Sequence, residues 1–141
     1  MEIIEVIEVS DGLVESMERL MPQLTQQPVP GKEELAEIIG CENSILVTAC
    51  EGGGIVGMLM LVLYRTPSGL KGRIEDVVVD ELSRGKGIGE AMVRYAIEIA
   101  RQRKATCIDL TSNPKRKAAH KLYENIGFKK HETNVYRYPL S

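Results

Sequence analysis

The sequence predicts an α/β fold of the α+β kind: a mixed, mostly antiparallel sheet of about six to seven strands flanked by about four helices. Three observations carry this. Apolar stretches of strand length recur between glycine and proline breaks. Other segments hold their apolar residues on a helical stripe. The passage from Arg73 to Leu110 reads strand, helix, strand, which calls for a right-handed crossover and a parallel pair. At 141 residues the chain is expected to form one domain, 1–141, able to bury roughly 70% of its unfolded surface without disulfide staples.

Ile3 to Val9 alternates apolar and acidic residues, as a half-buried strand does. Asp11 is suited to cap a helix reaching Leu24, with Leu13, Met17, Leu20 and Leu24 along one stripe. Two prolines between Gln26 and Gly31 break the pattern, and a short helix follows from Glu33 to Ile39. Ser44–Glu51 and Ile55–Arg65 form a hairpin around Gly52-Gly53-Gly54, and Arg73–Val79 adds a fourth strand. A long helix is predicted from Ile88 to about Arg103, dry along Ile88, Met92, Tyr95 and Ile99. Thr106–Leu110 is the fifth strand. Asn113 then reads as an N-cap with Pro114 in the first helical position, and that helix ends at Gly127. Phe128–Lys130 and Val135–Leu140 are predicted to close the sheet.

Composition narrows the function classes. Lys and Arg number 18 against 20 Asp and Glu, a net charge of −2, which speaks against a nucleic-acid partner. The longest strongly apolar run, Ile55 to Tyr64, is far shorter than the roughly 20 residues a bilayer span needs. Glutamates interrupt the apolar residues from Met1 to Val9, so neither a leader nor a membrane role is expected, and the cytoplasm is the expected compartment. Cys41, Cys50 and Cys107 are odd in number, widely spaced and without a CxxC pair, so neither a disulfide framework nor a metal site is expected.

The chemistry concentrates in Val77-Val78-Val79-Asp80-Glu81-Leu82-Ser83-Arg84-Gly85-Lys86-Gly87-Ile88-Gly89. Three alternate glycines stand where a buried strand hands over to a helix. The first helical turn has unpaired N–H groups and the positive end of the helix dipole, and glycine removes the Cβ atoms that would hold a ligand away. The segment is therefore expected to cradle a phosphate, with Arg84 and Lys86 adding charge. It is not a Walker A loop, because Gly87 follows Lys86 where Ser or Thr is required. Gly52 to Gly57 matches G-x-G-x-x-G only formally, since it lies between two strands with no helix after it.

These residues resemble the signature of the GNAT superfamily, the acetyl-CoA-dependent N-acetyltransferases. Its core pattern, Q/R-x-x-G-x-G/A, is met by Arg84, Gly87 and Gly89, and the order of elements is similar along essentially the whole chain. A second family motif, a helical tyrosine followed by Gly-Phe, is matched by Tyr123 and Gly127-Phe128. The resemblance implies a splay in the central βαβ unit, with acetyl-CoA as co-substrate in the V. Val77, Val78 and Val79 would then line its pantetheine arm, and the amides of Gly85, Lys86, Gly87, Ile88 and Gly89 would hold its pyrophosphate. It also makes Tyr123 the acid that protonates the departing thiolate, with the small Ala119 leaving room beside the phenol. Many members carry an asparagine seven residues before this tyrosine. Here that position is Arg116 and the nearest asparagine is Asn113, so these two remain alternative cofactor contacts.

An acceptor amine must lose a proton to attack a thioester, and a carboxylate can receive it, directly or through water. Glu75 is the first candidate, expected to share a face with Val77 and Val79 because strand side chains alternate. Asp109 on the fifth strand is the second, and ordered water the third. His120 reads as a surface residue.

The expected activity is transfer of an acetyl group to a primary amine of a small molecule or peptide, by direct attack in a ternary complex. A longer acyl donor is a variant of this reading, and a non-catalytic CoA-binding sensor or interaction module is the alternative. Retention of Tyr123 favours the enzyme, because a pure binder needs no phenol there. Ile74-Glu75-Asp76-Val77-Val78-Val79 is similar to a run in glucosamine-6-phosphate N-acetyltransferases, but peptides, amino acids, polyamines and aminoglycosides stay open as acceptors. Dimers are common in such folds, so a homodimer is among the assemblies the resemblance implies.

Overall fold

The computed structural model describes residues 1–141, in two compact units, Met1–Thr111 and Ser112–Ser141. The larger unit is built on a five-stranded sheet in the order β1-β2-β3-β4-β5: β1 is Glu2–Glu5, β2 Ser44–Glu51, β3 Gly54–Thr66, β4 Gly69–Val79 and β5 Ile108–Asp109. Every pair is antiparallel except β4 and β5, the parallel pair that the crossover helix α3, Ile88–Gln102, requires.

Two helices and a 3-10 turn precede β2. Helix α1, Asp11–Leu20, is capped by Ser10, whose Oγ accepts from the Leu13 N–H at 3.2 Å; Asp11, expected as the cap, is the first helical residue. Both side chains could cap, and the strand-like backbone of Ser10 decides. Pro22 ends the α-helical pattern early, so the chain tightens into a 3-10 turn at Met21–Gln23. Helix α2 is Lys32–Gly40.

The two faces of the sheet bury different helices. Leu13, Met17 and Leu20 of α1 and Leu35 of α2 form one core with Leu46, Met58 and Val78. Helix α3 covers the other face, where a Cβ on Gly57 would stand 3.0 Å from the Met92 side chain. Its buried stripe is Ile88, Met92, Val93, Ala96 and Ala100, not the expected one through Tyr95, which is 36% exposed. Small alanines at the fourth-residue spacing let the helix lie close to the sheet, and the larger tyrosine turns away from that contact.

Thr48 is fully buried, and its hydroxyl has no hydrogen-bond partner. An unpaired buried hydroxyl costs free energy that an isosteric methyl does not. Thr48→Val is expected to stabilise the protein by about 1 kcal/mol in urea unfolding.

The smaller unit carries helix α4, Lys117–Ile126, which ends at Gly127 with φ +125° as expected. Its start differs from expectation. Asn113 Oδ1 accepts from the Lys115 N–H at 2.9 Å, and its carbonyl accepts from the Arg116 N–H at 2.9 Å. The asparagine thus closes a turn around Pro114, and the helix begins only after Arg116. The two closing strands are also corrected: residues 128–141 form none, and Tyr136 and Leu140 are 90% and 94% exposed. Alternation specifies two faces, but a strand also needs a paired neighbour to accept its amides, and alternation does not encode one.

Candidate active site

The site begins where β4 leaves the sheet. β5 pairs with β4 only at Gly72 and Arg73, so from Ile74 to Val79 that edge of β4 has no strand beside it. This is the splay expected of the βαβ unit, and an extended ligand chain could pair along such an edge.

After Val79 a short 3-10 turn, Glu81–Ser83, leads to the glycine segment. Gly85 and Gly87 adopt φ +82° and +79°, conformations that side chains disfavour, and a Cβ at either would meet no heavy atom within 4 Å. Gly87 is the N-cap of α3, with no side chain to satisfy the first turn. None of the backbone N–H groups from Arg84 to Glu90 finds an acceptor within the protein. A row of free donors with open space before it, at the positive end of a 15-residue helix, is suited to a diphosphate. Arg84 and Lys86 are partly committed elsewhere. Arg84 Nε donates to the Val79 carbonyl at 3.1 Å, which ties the loop back to its strand, and Lys86 pairs with Glu51 at 3.1 Å.

Three residues that the sequence reading passed over hold the approach to this loop. Asp80 is buried, and its carboxylate accepts from Arg19 Nε at 3.0 Å, Gln23 Nε2 at 3.4 Å and the Leu82 N–H at 3.3 Å. Burial alone would push its carboxyl up, but these hydrogen bonds and the Arg19 charge outweigh it and hold the group below its ordinary range. A depressed carboxylate stabilises the fold above its unfolded pKa, near 3.9, and that contribution is lost as pH falls through the folded value. Unfolding midpoints measured below about pH 4 are therefore expected to fall more steeply for the wild type than for Asp80→Asn.

The base candidates lie on β4 and β5. The β3–β4 register slips between Met58 and Met60, so Asp76 and Val77 together oppose Leu59, and Asp76 takes φ +52°. This bulge overturns the expected parity. Glu75 pairs with Met60 and Val78 with Met58, which puts Glu75 on the face of Val78 rather than that of Val79. Arg73 Nε donates to Glu75 Oε1, and Asp109 is the register partner of Arg73, so one arginine stands between the two expected bases. Partial burial, then the charge of Glu75, pushes the Asp76 carboxyl above its ordinary range. The alternation rule has no way to show an extra residue in a strand, so this re-aiming is absent from the sequence.

Within the smaller unit, α4 presents Tyr123 half-buried, its ring set edge-on to Phe128 with centroids 5.9 Å apart. Burial pushes its phenol up, against the opposing charge of Arg116. Ala119 is half-buried on the same helix, while the Asn113 side-chain oxygen is committed to its turn. His120 Nε2 donates to the Asn113 carbonyl at 2.9 Å and so braces that turn.

The model of the acetyltransferase (GNAT) family matches residues 13–128, a span that takes in both the cradle and Tyr123. The chain belongs to the GNAT family. It is an enzyme of the acyltransferase class. It is similar to a glucosamine 6-phosphate N-acetyltransferase of Trypanosoma brucei brucei, 34% identical over 140 residues that cover 94% of this chain and 92% of that protein. It is also similar to glucosamine 6-phosphate N-acetyltransferase 1 of Oryza sativa subsp. japonica, 31% identical over 106 residues. That match covers 71% of this chain and 64%, just under two thirds, of the rice protein. A solved glucosamine-6-phosphate N-acetyltransferase from Arabidopsis thaliana shares the fold, with a TM-score of 0.82 at 24% identity over 97% of each chain. None of the helices in this GNAT chain is long and apolar enough to cross a membrane.

Proposed function

We propose that this GNAT chain transfers the acetyl group of acetyl-CoA to a primary amine on a small molecule, an amino-sugar phosphate before other acceptors. The unpartnered N–H row from Arg84 to Glu90, opened by glycines at positive φ, is the observation that carries the donor. Its first-turn amides suit the diphosphate of CoA, and the free β4 edge from Ile74 to Val79 suits the amide-bearing pantetheine arm. The residues present thus fit the co-substrate. The acceptor rests on the trypanosome and rice proteins, both of which are named for glucosamine 6-phosphate.

When bound, acetyl-CoA supplies an activated acetyl carbon. The acceptor, an ammonium in water, loses one proton to solvent, the lone pair of the neutral amine forms the new C–N bond, and the excess proton then carried by that nitrogen passes to Glu75, directly or through water. The C–S bond breaks, and the departing thiolate takes the Tyr123 proton, so a neutral amide and a free thiol leave. The phenol held above its ordinary range keeps that proton at neutral pH.

A thiol-release assay over a panel of amines tests this reading. The expected result is acetyl-CoA-dependent thiol release that is largest with glucosamine 6-phosphate. CoA binding with background release across the panel would replace the enzyme by a CoA sensor.

A further inference from the structure

We infer that Arg19 and Gln23, at the end of α1 and in the turn after it, are positioning residues for the donor cradle, an inference that rests on the reading of that cradle as the CoA site. Little within the cradle holds its shape. Its backbone N–H groups have no protein acceptors, its two positive-φ glycines have open space around them, and only the Arg84 bond to the Val79 carbonyl and the exposed Lys86–Glu51 pair tie it locally. Its geometry therefore depends on how its ends are placed. At the far end Ile88 and Met92 anchor α3 in the core. At the near end the anchor is polar and comes from outside the βαβ unit.

Gln23 makes both halves of that anchor. Its Oε1 accepts from the Glu81 N–H at 2.9 Å, and its Nε2 donates to Asp80 Oδ1 at 3.4 Å and to the Arg19 carbonyl at 3.2 Å. Arg19 reaches Asp80 Oδ2 with Nε and the Ile55 carbonyl with Nη2. The next carbonyl, that of Val56, accepts from the Asp80 N–H at 2.8 Å. Val56 is the extra residue of a second bulge, between the Ala49–Gly57 and Cys50–Ile55 pairs, which frees these carbonyls to face the loop. Asp80 and Glu81 are thereby fixed in two directions just before the chain enters the cradle. The bonds from Gln23 to the Glu81 N–H and the Arg19 carbonyl are exposed and its bond to Asp80 is long at 3.4 Å, while the buried Asp80 keeps its Arg19 partner when Gln23 is replaced, so loss of the Gln23 bonds costs little global stability. Their effect falls on the placement of the loop.

Gln23→Met keeps the volume of the side chain and removes its hydrogen bonds. The readouts are CoA affinity by calorimetry, steady-state KM and kcat, and the thermal midpoint, with Gly89→Val as the control for the cradle itself. The expected result is CoA binding and KM for acetyl-CoA weakened about tenfold, kcat within about twofold and an unchanged midpoint. Unchanged CoA affinity in Gln23→Met, with affinity lost in Gly89→Val, overturns the positioning role and leaves the cradle standing. A loss of affinity that tracks a fall in midpoint overturns it in favour of a structural role. Unchanged affinity in both variants overturns the cradle and this inference with it.

Discussion

Gly89→Val is expected to weaken CoA binding about 100-fold while the protein stays folded. Gly89 is the second residue of α3, in a helical conformation, so a side chain there meets no positive-φ strain. A branched side chain in that first helical turn is expected to crowd the turn's free amides, and so to hold a diphosphate away from them. Losing two charge-assisted hydrogen bonds at about 1.5 kcal/mol each amounts to about 3 kcal/mol, or roughly two decades in affinity. Gly87→Val is expected to lose as much and to cost stability too, because its φ of +79° disfavours any side chain. Calorimetry with CoA, checked by circular dichroism, measures both. Wild-type affinity in a folded Gly89→Val variant would remove the cradle from the mechanism.

Tyr123→Phe is expected to lower kcat about 100-fold with KM for acetyl-CoA within about twofold, the range general acids contribute. Phenylalanine keeps the edge-on contact with Phe128 and removes only the hydroxyl, so α4 has no reason to unfold. The pH profile adds a signature. A general acid works while protonated, and the Tyr123 phenol is raised above its ordinary value near 10. Wild-type kcat is therefore expected to show no phenol-dependent fall below about pH 10. An equal kcat in the variant would strip Tyr123 of the role, whatever the profile.

The sequence by itself determined the fold class and singled out the segment proposed as the cradle. Local signals located all four helices and the five strands of the sheet: apolar repeats mark the elements that bury a face, such as α1, α3, β2 and β3, and Gly127 marks the end of α4. The glycines at 85, 87 and 89 mark a backbone that a ligand could approach closely, again a local property. Phe128–Lys130 and Val135–Leu140 read as strands because alternation is local, while the pairing edge that makes a strand is not. Only the tertiary structure decided what depends on register and distant contact. The bulge at Asp76 turns Glu75 toward the face of Val78, since one inserted residue reverses the alternation read along the chain. The Arg19–Asp80 bridge joins residues 61 apart, and the Gln23–Glu81 bond joins residues 58 apart. No pattern read along the chain encodes such contacts, because the packing of α1 against β3 is what brings them together.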